Sequence, residues 1–191
     1  MTNTIAPFGF KPIRRFDGAA WTGNFTQCKM QNTAGALNRG DGVVALADGT
    51  VAVAAPAAGH VFRGIFIGCH FLSAVMGYPI WTNYWPGAGA VGLVDAFVID
   101  DPNVVFEVQA SAGPITLADV GATADVVVAA STTGFSKWSL GVPGASATVP
   151  FRILGPSNNG VFIGDGYDVT SANNIVEVMP NEWFLTKGIG I

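Results

Sequence analysis

Residues 87–92 read GAGAVG, the Gly-x-Gly-x-x-Gly spacing that can hold the pyrophosphate of a dinucleotide. That chemistry needs a strand before the glycines and a helix after them, with free N–H groups aimed at phosphate. The flanks do not supply these elements. WTNYWP (Trp81 to Pro86) comes before, and LVDAFVIDDPN (Leu93 to Asn103) comes after, rich in strand formers and interrupted by Pro102. The acidic pair Asp100 and Asp101 also follows Gly92 by only 8 to 9 residues, where the fingerprint wants a carboxylate about 20 residues on. The stretch reads as a glycine turn ahead of a strand.

The other chemistry-bearing residues are few. His60 and His70, with Cys28 and Cys69, are the soft and borderline metal donors. Cys69 and His70 are neighbours in a strand-like segment, so their side chains leave opposite faces and do not readily share one ion. The expected roles are a core thiol and a surface or interface histidine, with no metal and no cofactor. Without a secretory leader in the first fifteen residues, two reduced thiols are expected rather than a bridge. GFSKW (134–138) lacks the last glycine of a hydrolase elbow. The carboxylate pairs Asp100/Asp101 and Asp165/Asp168 lie in DDPN and GDGYD, which form turns before they form acid–base sites. The loop IGDGYDVTSANN (163–174) lacks the calcium-loop spacing and its terminal glutamate. RGD at 39–41 reads as a turn that delivers the chain into a strand. No catalytic constellation emerges, and a protein that is not an enzyme is expected.

The elements that would position these residues are short strands. GVVALA (42–47), TVAVAA (50–55), VFRGIFIG (61–68), VGLVDAFVID (91–100), NVVFEVQA (103–110), ADVVVAA (124–130), ATVPFRIL (147–154) and NIVEVMP (174–180) are rich in Val, Ile, Phe and Thr. ADGT (47–50) and DDPN (100–103) are turn signals and predict hairpins between consecutive strands. With 25 glycines and 11 prolines in 191 residues, long helices have few places to form. PITLADVG (114–121) is the one short helical candidate. The prediction is an all-β antiparallel barrel or jelly-roll-like sandwich at 41–191, preceded by an extended amino-terminal arm and first turn at 1–40.

Composition points to assembly. Only 12% of residues are charged and 50% are hydrophobic, against about 25% charged in ordinary soluble domains. No apolar run reaches the roughly 20 residues of a membrane span, so a membrane is not expected as partner. Neighbouring subunits are then the expected cover for the apolar surface. Lys11, Arg14, Arg15, Lys29 and Arg39 face Asp17 alone in residues 1–39, which makes this part +4 and the remainder −8. A basic amino-terminal part on an acidic body suggests contact with an acidic neighbour. Five basic residues over 39 positions are too sparse to predict direct nucleic-acid binding.

APFGFKPIRR near the start, LNRGDGVVAL (37–46), GIFIGC (64–69), VIDDPNVVFEVQA (98–110), FRILGP (151–156) and NIVEVMPNEWF (174–184) resemble, in this order, the tailed-phage capsid decoration proteins, also called cement or head-stabilising proteins. The resemblance implies an all-β homo-oligomer, a dimer or trimer. It would be made in the host cytoplasm and carried on the outside of the virion, where it binds the major capsid protein and stabilises the shell without catalysis. Phe8, Phe10, Lys11, Arg14 and Arg15 are the expected capsid or subunit contacts, since aromatic and Arg side chains favour interface anchors; the alternative is that Phe8 and Phe10 plug the protein's own core. HFLSAVMGYPIWTNYWP (70–86) has no place in the shared pattern. Its Tyr78, Trp81, Tyr84 and Trp85 are either an interface loop or a stacking platform for sugar rings, as in a carbohydrate- or receptor-binding module.

Overall fold

The computed structural model describes residues 3–54, 61–111, 113–157 and 171–183. In chain order the strands are β1 (Lys11–Arg15), β2 (Thr26–Met30), β3 (Gly42–Ala45), β4 (Val51–Val53), β5 (Phe62–Leu72), β6 (Pro79–Thr82) and β7 (Val94–Ile99). They continue with β8 (Val104–Gln109), β9 (Thr123–Ala124), β10 (Val126–Val127), β11 (Ser139–Leu140), β12 (Phe151–Pro156) and β13 (Ile175–Pro180). The fold is all-β. Its helical content among the described residues is one 3-10 turn, Leu117–Asp119, inside the predicted PITLADVG segment. Thr116 caps that turn and Asp119 closes a reciprocal capping box.

β3, β4, β2, β7 and β5 pair in that order, and β5 pairs back to β3, so five strands close a small barrel. β6 hangs on the far side of β5. A second sheet runs β1, β8, β13, β12, β9. Residue alternation explains the barrel wall: β7 turns Val94, Ala96 and Val98 inward, while Asp95 and Phe97 face out. Met30, Val43, Val51, Phe66 and Trp85 join that interior. A second core joins the sheet to residues of β5 and β7 and is built from Phe10, Phe62, Ile65, Ile99, Phe106, Phe151 and Trp183. β8 is buried along its whole length. Its two polar residues are satisfied: Ser157 Oγ donates to Glu107 at 2.6 Å, and Gln109 accepts from the Ala6 N–H at 2.9 Å.

Two expectations are corrected here. The amino-terminal forty residues are not a separate arm, because β1 pairs antiparallel with β8 and β2 pairs with β7. The reason is packing at Phe10, which is 2% exposed and lies on Phe151 with ring centroids 4.2 Å apart and planes within 8°. DDPN is a turn, with the Val104 N–H donating to Asp101 O at 3.2 Å. It does not make a hairpin, because it passes the chain from β7 in the barrel to β8 in the other sheet. The pairing ADGT predicts between β3 and β4 does form.

Candidate interaction surface

A groove of about 300 Å³ is lined by Phe8, Phe10, Lys11, Pro12, Arg39, Gly40, Ile67 and Phe135. Three extended segments position it. Phe10 N–H donates to Gly40 O, Gly9 N–H to Trp138 O, and Ser136 N–H to Arg39 O, which locks residues 8–10, 39–40 and 134–138 together. Alternation along the last segment buries Ser136 and Trp138 and turns Phe135 and Lys137 to solvent. The groove is apolar along its walls and cationic at its margin. Among the described residues, Arg39 forms no ion pair, and Lys11 reaches Glu107 at 3.6 Å with most of its side chain in water.

The five predicted contact residues divide. Phe8 and Lys11 line the groove. Phe10 also borders it, but its ring is committed to the core, which is the alternative expected for it, and not to a surface anchor. Arg14 is held by Glu177 at 2.6 Å and Arg15 by Asp101 at 2.9 Å, so both guanidinium groups serve the chain's own sheet. Arg39, Ile67 and Phe135 were not among the predicted residues. The alternation in GFSKW, with Phe and Lys at every second position, is the signal that could have placed Phe135 on a surface.

The four aromatics of the 70–86 stretch do not share a platform. Trp85 is fully buried in the barrel, edge-on to Phe71 at 5.0 Å, with backbone bonds to Leu37 in both directions. This corrects its predicted surface role. Tyr84 packs over Gly134, and Tyr78 donates from its hydroxyl to the Met76 sulfur at 3.0 Å. Trp81 stands apart on β6. It lies on His70 at 4.2 Å and near-parallel to Phe97 at 5.4 Å, while Phe97 also meets the exposed Phe25 at 5.0 Å. Between Trp81 and Phe25 is a cleft of about 210 Å³ that also borders Ile67, Gly68, Thr82 and Asn83. A Cβ at Gly68 would stand 2.9 Å from Thr82 O, so this floor stays bare.

The titratable groups are arranged for structure. His70 Nδ1 lies 3.7 Å from Asp95, whose carboxyl is held below the usual range chiefly by the hydrogen bond from Lys29. Asp41 of the RGD turn is buried and accepts from the Asn38 N–H at 2.7 Å. Burial pushes its carboxyl up, while Ser136 and Asn38 pull it down. Cys69 faces the barrel interior and His70 the outside, as the strand reading requires. Cys28 and Cys69 each pair with Ala96 from opposite sides of β7. They are therefore about two strand spacings apart, roughly 9–10 Å, beyond the reach of a disulfide. His60, Asp165 and Asp168 lie outside the described residues. GAGAVG is a turn: Gly87, Gly89 and Gly92 have φ of 92°, 104° and 77°, and the chain then enters β7.

Comparison with known proteins adds no relative: no protein-family model, curated protein or solved structure matches this chain.

Proposed function

We propose that this chain is a non-enzymatic structural protein of a tailed-phage virion that binds the outside of the major capsid shell and stabilises it. The sequence resemblance suggests the role, and the cation-rimmed aromatic groove of Phe8, Arg39, Ile67 and Phe135 is the observation that supports it. Aromatic and Arg side chains around an apolar hollow are the composition of interface anchors. A protein fixed to several shell subunits at once adds its binding free energy to the shell, multiplied by avidity. The test is co-sedimentation of the purified protein with undecorated shells of the cognate major capsid protein. Binding at fixed stoichiometry, lost in Arg39→Glu and weakened in Phe135→Ala, is expected. Absence of wild-type binding would end the proposal.

The exposed face of Trp81 beside the Gly68 cleft favours a second reading, a sugar ring stacked on the indole. Titration of glycans against tryptophan fluorescence separates the two, since a purely structural role gives no saturable change.

A further inference from the structure

Residues 71–94 contain no charged side chain. The fold gathers their apolar groups at the end of the barrel where β5 finishes and β7 begins. There the tip of the β5–β6 connection lies beside the glycine turn: Ala74 N–H donates to Gly89 O and Val91 N–H to Leu72 O, both at 2.8 Å. Leu72, Val75, Met76, Tyr78, Val91 and Leu93 are all exposed around this junction, Val75 at 89%, and Trp81 on β6 adds an indole exposed at 69%. Two of these seven, Tyr78 and Trp81, are aromatic, and aromatic residues and Met are the types enriched at interfaces.

Among the described residues β6 pairs only with β5, which leaves its other edge without a strand partner. Open edges are ordinarily blunted by charge, proline or a bulge. β1, the open edge of the other sheet, carries all three: Lys11, Arg14, Arg15, Pro12 and a register break between Pro12 and Arg14. β6 reads PIWT: Pro79 blunts its first position, but the strand carries no charge and its register with β5 is unbroken. We infer that a second copy of this chain covers β6 and the charge-free tip, the two β6 edges meeting antiparallel about a twofold axis. Each edge then supplies the N–H and C=O groups the other lacks, and one surface serves both partners. A chain of net charge −4 repels its copies over much of its surface. This end is where two copies approach without opposed charges, and it has the charge depletion of an interface core.

The inference goes beyond shell binding and does not depend on it. Its test is sedimentation equilibrium of the full chain from about 1 to about 100 µM, since mass action makes assembly concentration-dependent. A species of twice 19.7 kDa is expected. Val75→Glu and Tyr78→Lys, at exposed positions that leave the core intact, should each weaken association at least about tenfold. Circular dichroism checks that both variants fold. Hydrogen exchange gives a separate readout: β6 amides not bonded to β5 should be slower at the high concentration than at the low one. A monomer throughout the range overturns the inference, as does a dimer whose dissociation constant ignores both substitutions. A monomer that floats with phosphatidylcholine vesicles or sediments with shells, and loses this on Val75→Glu, assigns the tip to lipid or shell and also overturns it.

Discussion

Replacing Phe10 with alanine distinguishes a strand of the body from a loose arm. The Phe10 ring is 2% exposed and stacked on Phe151, which also meets Phe62 at 5.8 Å, Trp183 at 5.7 Å and Phe106 at 6.4 Å. Those rings belong to strands or bridges on several sides, so the hollow left by the substitution cannot easily collapse. Truncating a buried Phe costs about 3–5 kcal/mol under such conditions, with about 0.5–1.5 kcal/mol of that from the ring pair itself. In a domain of this size each kcal/mol lowers Tm by about 2–4 °C, giving a fall of about 6–20 °C. Urea unfolding should show a reduced midpoint with an unchanged slope. Phe8→Ala is the control: Phe8 is half-buried at the groove, and its loss should cost about 1 kcal/mol. A docked but dispensable arm predicts small and equal effects at both positions. A Phe10→Ala midpoint indistinguishable from wild type would refute the account of β1 and of the core between the sheet and the barrel wall.

The remaining predictions concern buried polar groups. Asp41 has its carboxyl raised in the folded chain by burial, so its contribution is fully present below the unfolded value of about 3.9 and is lost as pH rises through the folded value. Urea unfolding at pH 4 and pH 7 should therefore show Asp41→Asn gaining relative to wild type at the higher pH. Burial pushes the Cys69 thiol up to about 12. Alkylation at pH 8 followed by mass spectrometry should leave it unmodified in the folded protein and modified in urea. Arg63 and Asp100 pair at 2.6 Å with side chains 17% and 13% exposed, and Thr26 also donates to Asp100 at 2.9 Å. Asp100→Ala should cost about 3 kcal/mol by removing one carboxylate from a largely buried ion pair, which thermal unfolding would register.

Eight strand-like segments and one short helical turn were readable in the sequence because their β-branched and aromatic runs repeat the period of a half-buried sheet. β7 is the clearest case, with Asp95 and Phe97 alternating against Val94, Ala96 and Val98. β1 and β2 were not readable. KPIRR has no apolar alternation of its own, and TQCKM alternates only over Cys28 and Met30 against Gln27 and Lys29; both become strands by pairing with the apolar β8 and with β7. β6 hid in the aromatic stretch for the opposite reason: everything around it is apolar, so no period marks PIWT as an edge. Closure of the barrel rests on pairings no local pattern announces, including a single parallel bridge from Met30 to Val51.

The candidate surface was legible only in part, and the cause is topological. Phe8 and Lys11 belonged to the predicted contact set, yet the groove exists because residues 8–12, 39–40, 67 and 135 meet across the fold. Each piece alone had a more ordinary explanation: Arg39 as the start of a turn, Phe135 as a failed hydrolase motif, Ile67 as a barrel residue. The cations followed a similar logic. Arg14 and Arg15 stood out because they are adjacent, but adjacency in β1 places them beside Glu177 and Asp101, which neutralise them. Arg39, inconspicuous in the sequence, is left by the fold without an ion pair among the described residues and holds its charge at the margin of the groove. Charge available to a partner is therefore set by what the fold fails to neutralise, and a count of basic residues along the chain cannot supply that.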